Sequence, residues 1–308
     1  MKLSLCCGYY DRTKALFDGT VKPEGIELAI QKYSNPDDLF RRTLQKNEFD
    51  VSELSFSNYI YGRDMGGLDY IALPVFPSKK FRHHDIYVNK SSKISSPKDL
   101  NGKKILVYPS YYVTAALFQR GVLQHDYGVK PESITWLTGK EERIPIKFPS
   151  NISAKVVDPE AIQDEGSADV MMGPATPVGF PESSKFRRLF PDAKKVEIDY
   201  YRKTGIYPIM HVLVVRESIW KENKWIAKSL VDAFSESKKL WKKYTASGLG
   251  GLAWIDHLME EEREILSDDP YPCDIEHNRK TIETLIQYCS EQAVMKRVPK
   301  VEELFASP

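Results

Sequence analysis

The chain has 308 residues, enough for two α/β domains or one large one. Hydrophobic residues are 42% and charged residues 28%, and 44 Lys and Arg against 43 Asp and Glu leave a net charge of +1. Such a chain is not disordered, collagenous or coiled-coil, gives no electrostatic reason to expect nucleic acid, and holds no apolar run long enough to span a bilayer.

Met1–Gly8 carries one Lys and a very short apolar stretch, too short for a secretory signal. Its Leu3–Cys7 run is read as the first strand, and the expected compartment is the cytosol. Asp11–Phe17 begins a helix. Val21-Lys22-Pro23-Glu24-Gly25 is a turn, and Ile26, Leu28 and Ile30 alternate as a second strand. Pro36-Asp37-Asp38 opens a helix with Leu39, Phe40, Thr43 and Leu44 on one side. Asp50–Leu54 is a short strand running into a Ser55–Asn58 turn, and Ile71–Val75 is another strand. Strand and helix in alternation argue for an α/β domain with a largely parallel sheet.

Asp85–Asn89 reads as a strand leaving that domain. After the polar stretch Ser95–Lys103, Lys104–Val107 starts a second α/β unit with a helix near Val113–Tyr127 and strands near Ala154–Val157 and Asp169–Met172. Pro208–Val215 is a returning strand, Lys224–Tyr244 a long amphipathic helix, and Lys280–Tyr288 another helix. The layout predicts two lobes: residues 1–87 with 212–308, and an inserted lobe 88–211. Two lobes joined by two strands make a hinged clamshell, with a ligand in the cleft at the strands' carboxyl ends.

Asp11 and Arg12 follow the first strand, where Arg can take a carboxylate in two-pronged fashion. Alternation places Glu53, Ser55 and Ser57 on one face as their strand ends. Pro74–Asp85 contains Lys79, Lys80, Arg82, His83 and His84 just before a connector, and imidazole is the side chain best able to exchange protons near neutral pH. Tyr111 and Thr114 lie at the start of the second unit's helix, whose free N–H groups favour anions. Thr204 and His211 belong to the Tyr200–His211 run at the second connector. His83 and His211 can converge there. With Glu53 they form a recognised ligand set, so a divalent metal is left open although no local motif supports one. The four cysteines have no zinc spacing and are read as buried thiols, with a reactive Cys7 as the sharper alternative.

Several stretches together resemble one family: Tyr10-Asp11-Arg12-Thr13, Pro23-Glu24-Gly25-Ile26, Phe49–Glu53, Pro74-Val75-Phe76-Pro77-Ser78 with Phe81-Arg82-His83, Thr114-Ala115-Ala116, Arg188–Asp192, Tyr201–Ile206, Pro208–His211 and Glu302–Phe305. The chain resembles the 4,5-dihydroxyphthalate decarboxylase family over nearly its whole length. The resemblance implies a type 2 periplasmic-binding-protein-like fold and decarboxylation of a hydroxylated aromatic dicarboxylate to 3,4-dihydroxybenzoate and CO2. Ser110, Tyr112 and Gly173-Pro174-Ala175 depart from the family pattern.

Direct loss of CO2 would leave an aryl carbanion, so the carboxyl-bearing carbon must be protonated first, helped by a para-hydroxyl. The expected roles are His83 as proton donor, Glu53 or His211 as partner base, and Arg12 and Arg82 as carboxylate clamps. Asp11, Ser55, Ser57, Tyr111, Thr114 and Thr204 complete the ligand shell. No organic cofactor, nucleic acid or membrane is expected, and self-association is left open. The alternative function is a solute-binding protein or cytosolic sensor for a small aromatic carboxylate, without chemistry.

Overall fold

The computed structural model describes residues 1–158, 168–249 and 251–307. Its strands are β1 (Lys2–Cys7), β2 (Glu27–Lys32), β3 (Val51–Ser55), β4 (Tyr70–Lys79), β5 (Ile86–Asn89), β6 (Lys104–Val107), β7 (Thr135–Thr138), β8 (Ser153–Val156), β9 (Val170–Met172), β10 (Phe186–Arg188) and β11 (Ile209–Arg216). The helices are α1 (Lys14–Phe17), α2 (Pro36–Lys46), α3 (Phe56–Met65), α4 (Thr114–Tyr127), α5 (Ala193–Thr204), α6 (Glu217–Glu222), α7 (Trp225–Tyr244), α8 (Ile255–Ile265) and α9 (Arg279–Glu291).

Two mixed sheets divide these strands. The first has the order β2-β1-β3-β11-β4 and the second β10-β5-β9-β6-β7-β8. The chain leaves the first sheet after β4, builds the second from β5 to β10, and returns through β11. In the first sheet β1 is parallel to both neighbours, whereas β11 runs antiparallel to β3 and β4. The central strand β3 is buried at all five positions, and β11 brings Ile209, Met210 and Val212–Val215 into the core beside it.

Local chemistry explains most boundaries. Asn35 caps α2 by accepting from the Asp37 N–H at 2.9 Å, Pro36 presets the first turn, and Asn47 closes the helix at φ 48°. Asp192 caps α5, and Gly205 at φ 67° ends it. The Ser55–Asn58 stretch, expected as a turn, instead opens α3. That helix is buried from Phe56 through Gly62, so it has no polar face and no periodic signature to read. The strand β7 and the helix α5 were likewise not anticipated.

The C-terminal helix α9 packs against α4. Phe118 meets Tyr288 edge-on at 5.7 Å, the His125 ring stacks on Tyr288 at 5.3 Å, and the Arg120 Nε donates to Gln292 Oε1 at 2.7 Å. Gly121 permits this contact, because a Cβ there would stand 2.3 Å from the Tyr288 ring. No helix among the described residues is long and apolar enough to cross a membrane. Gly121→Ala gains helix propensity of about 1 kcal/mol, but an aromatic ring wedged in a core cannot retreat by the ångström required. The expected net effect is a loss of about 1–3 kcal/mol, read as a lower thermal midpoint; an unchanged or raised midpoint would show that α9 can shift freely on α4.

Candidate active site

The carboxyl ends of β1 and β3 and the start of β11 meet at one point. Cys6 of β1 lies opposite Ser52 of β3, so the chain beyond β1 runs beside Glu53. Ser55 of β3 lies opposite His211 of β11. The β11–β4 pairing slips on both sides of His211, a bulge of the kind that re-aims a side chain. The result is a tight cluster. Glu53 is fully buried and accepts three hydrogen bonds: from His211 Nδ1 at 2.5 Å and Tyr10 Oη at 2.7 Å on Oε1, and from the Gly8 N–H at 2.7 Å on Oε2. Burial alone would push the Glu53 carboxyl up, but these donors and the His211 charge hold it below the ordinary value. With Nδ1 fixed on Glu53, the His211 ring lines the cleft and meets Phe40 edge-on at 4.9 Å.

That cleft, about 410 Å³, lies between the two sheets. From the first side come Asn35, Asp37, Phe40, Ser55, Lys80, Arg82, Met210 and His211; from the second come Tyr108, Val113, Thr114, Ala115, Lys140, Arg143, Pro174 and Ala175. The N-terminus of α4 points its unpaired first-turn N–H groups at the cleft wall, and Val113 supplies no side-chain cap for them. Lys80, Arg82, Lys140 and Arg143 face only Asp37 among lining carboxylates, so the cleft favours an anion. Arg82 is steadied by Asp85 at 2.7 Å; burial pushes the Asp85 carboxyl up, but His84, Arg82 and Lys80 hold it below its usual range.

The two sides are joined across the seam. Ser55 Oγ lies 2.9 Å from Thr114 Oγ1, the Ser57 N–H donates to the same oxygen at 3.1 Å, and Ser57 Oγ donates to the Tyr112 carbonyl at 2.7 Å. Arg143 donates to Asp37 at 2.8 Å and to Asn58 Oδ1 at 2.7 Å, and Lys140 donates to Asp37 at 2.9 Å. Burial would raise the Asp37 carboxyl, but Arg143, Lys140 and Arg41 bring it down to about 2.

Of the residues expected from the sequence, Ser55, Arg82, Thr114 and His211 line the cleft, and Glu53 and Ser57 stand directly behind that lining. His83 does not line it. Its ring is buried against Phe190 and Tyr200, with Nδ1 4.0 Å from Glu197 and no hydrogen bond, and burial lowers its basicity. Asp11 is exposed and pairs with Lys14. Arg12 is sandwiched between the rings of Tyr10 at 4.2 Å and Tyr271 at 4.3 Å and donates to the Pro77 carbonyl. Tyr111 is core, under the Arg120 guanidinium at 3.6 Å. Thr204 donates to the Tyr200 carbonyl within α5.

Among the described residues no group of three His, Cys, Asp or Glu side chains could hold a metal, so the set His83, His211 and Glu53 is not assembled. Cys7 is fully buried, and burial pushes its thiol well above the usual value, which removes it as a nucleophile. The sequence reading missed Asp37, Phe40, Lys140 and Arg143 as cleft residues. The signal for the last two was the charged run Gly139–Arg143 directly after a strand's carboxyl end.

A family model described as NMT1/THI5 like matches residues 19–244. A protein of Comamonas testosteroni named 4,5-dihydroxyphthalate decarboxylase is 31% identical over 99% of this chain and 96% of its own length. One of Pseudomonas putida with the same name is 34% identical over 66% of this chain and 82% of its own. The chain belongs to the 4,5-dihydroxyphthalate decarboxylase family. Its fold is that of two-lobed periplasmic binding proteins: the aliphatic sulphonate binding protein SsuA of Escherichia coli superposes with a TM-score of 0.56 at 13% identity, over 100% of this chain and 92% of the other.

The Asp37 contacts make a stability prediction. Asp37→Asn strips the buried Arg143 of its counter-charge and is expected to cost about 3 kcal/mol in denaturant titration. The wild-type carboxyl titrates at about 2, below its unfolded value, so the contribution is complete above about pH 4 and is lost as pH falls towards 2. A variant whose stability runs parallel to wild type across that window would show that the Asp37 contacts with Arg143 and Lys140 contribute no stability.

Proposed function

We propose that this chain is a carboxy-lyase that converts 4,5-dihydroxyphthalate to 3,4-dihydroxybenzoate and CO2 in the cleft between its sheets. The observation that carries this reading is the His211–Glu53 pair, aimed into a cation-lined cleft of a size suited to one small ring. The substrate carries two adjacent carboxylates. Arg82, Lys80 and the α4 N-terminus are placed to hold the one that stays, while Phe40, Met210, Val113 and Pro174 give the ring apolar walls.

His211 delivers the proton. Its Nε2–H bond breaks as a C–H bond forms at the carboxyl-bearing carbon, with electron density pushed there from the para-hydroxyl. The C–CO2 bond then breaks, its electron pair restores the aromatic ring, and CO2 leaves. His211 ends neutral and takes one proton from solvent per turnover, the net consumption that decarboxylation of a carboxylate requires. Glu53, ionised and buried, fixes the ring's orientation and keeps Nδ1 protonated throughout. Side chains alone perform these steps, so no cofactor enters the scheme.

The assay is incubation with 4,5-dihydroxyphthalate and its isomers, following CO2 and the dihydroxybenzoate product. An acid of this type contributes about 10²–10⁴-fold, so His211→Asn should lower turnover at least about a hundredfold. His83→Asn, whose ring packs on Phe190 and Tyr200 and does not line the cleft, should stay within about tenfold of wild type. Tight aromatic-acid binding without CO2 release by the unmodified protein would instead establish the ligand-sensor reading, and a silent His211→Asn would move the donor elsewhere.

A further inference from the structure

The buried carboxylate at residue 53 has one oxygen with two suitors. His211 Nδ1 and Tyr10 Oη both donate to Oε1, at 2.5 and 2.7 Å. A hydroxyl has one hydrogen, and Tyr10 spends its own on a carboxylate that can only accept. The contact between Tyr10 Oη and Tyr33 Oη, 2.9 Å, therefore has a fixed direction: Tyr33 donates and Tyr10 accepts. Burial is the largest cause holding both phenols in their protonated form, with the Glu53 charge next, so they stay donors. The three groups form an oriented chain from the half-buried Tyr33 through Tyr10 to Glu53.

The position of the Tyr10 ring is set by what residue 8 lacks. A Cβ on Gly8 would stand 2.3 Å from one ring carbon of Tyr10 and 2.9 Å from its hydroxyl oxygen. The Gly8 N–H meanwhile binds the other carboxylate oxygen, and Thr13 Oγ1 closes the turn by donating to the Gly8 carbonyl at 2.8 Å and accepting from the Tyr10 N–H at 3.0 Å. On its far face the ring is backed by Arg12. Neither tyrosine lines the cleft, so neither touches a ligand there.

We propose that Tyr10, oriented by Tyr33 and by the bare backbone of Gly8, is a positioning residue that limits how strongly Glu53 holds His211. This inference rests on the proton-transfer role given to His211 above. Two donors on one oxygen share its charge; withdrawing Tyr10 leaves the whole of it to the imidazole, which then parts with its proton less readily. Tyr33 strengthens the Tyr10 donation from behind, so its removal acts in the same direction with a smaller effect. The other charged groups facing the cleft around His211 are Lys80, Arg82, Lys140, Arg143 and Asp37, and substitution at residue 10 or 33 leaves all of them in place.

The test uses the full chain, labelled with ¹⁵N-histidine, as wild type, Tyr10→Phe and Tyr33→Phe. The share of the Tyr10 hydrogen bond passed to His211 corresponds to about one pH unit, a roughly tenfold change in its hold on the proton. In Tyr10→Phe the Nδ1 proton of His211 should resonate further downfield. The high-pH limb of the turnover profile, set by the His211–Glu53 pair, should rise by about one unit with KM unchanged. Tyr33→Phe, at the half-buried end of the chain and safe for folding, should move both readouts the same way by less. Lower turnover with an unmoved proton resonance and an unmoved limb would reduce Tyr10 to a structural prop and overturn the proposal. The resonance is readable without substrate. A wild type that releases no CO2 would therefore overturn the decarboxylase reading while leaving the Tyr10 coupling to be judged by the spectrum alone.

Discussion

A single buried carboxylate organises this protein. Taking an ionised Glu out of water costs several kcal/mol, and the cost is offset only if every strong acceptor site finds a donor. Glu53 finds its donors on two separated pieces of chain: the turn after β1, which supplies the backbone of residue 8 and the phenol of residue 10, and β11, which supplies the imidazole of residue 211. Each must arrive at the same spot, so the end of β1, the end of β3 and the start of β11 are mutually fixed. The sheet order makes this feasible, because β3 lies directly between β1 and β11.

The seam between the sheets is governed by a different economy. Its hydroxyl cluster of Ser55, Ser57 and Thr114 is neutral and short, and ties the end of the central strand β3 and the start of α3 to the α4 N-terminus without using the helix's anion-binding N–H groups. Asp37 does the opposite work. It draws Arg143 and Lys140, which would otherwise repel one another, to one side of the cleft and neutralises part of their charge. The cations left facing an incoming anion are therefore chiefly Lys80 and Arg82, themselves steadied by Asp85 at 3.5 and 2.7 Å. The cleft thus has a preferred end for charge and, around Phe40 and Met210, a preferred place for an apolar ring.

Much of the architecture was legible because it rests on local signals. Alternation marked β2, an apolar run marked β11, the Pro-Asp-Asp start marked α2, and the change from strand-helix units to a second such set marked the inserted sheet. The α3 helix was not legible, because burial on every side erases the 3.6-residue period. The site divided along the same line. Glu53, Ser55 and Thr114 sit at the ends of regular elements, where the direction of a side chain follows from the strand or helix. His83 and Arg12 lie in irregular turns, and there composition says nothing about direction: the imidazole of His83 turned into an aromatic pocket with Phe190 and Tyr200, and Arg12 turned onto two tyrosines. Two adjacent histidines before a connector are chemically suggestive, yet the one that reaches the cleft is the lone His211, aimed by a bulge that no sequence pattern announces.

A binding protein and a decarboxylase ask for nearly the same cleft. Both can use a helix N-terminus, a guanidinium and an apolar wall to hold an aromatic anion, and the fold, shared with an aliphatic sulphonate binding protein, does not by itself choose between them. What the catalytic reading adds is one group able to lose a proton at a fixed place and regain it. A buried anion behind the ring fixes which way the imidazole faces, but an anion that grips too hard makes the proton unavailable for transfer. In the proposed scheme that balance is set one layer further back, by the donors competing for the same carboxylate oxygen, and it is there that Gly8, Tyr10 and Tyr33 would act although none of them lines the cleft.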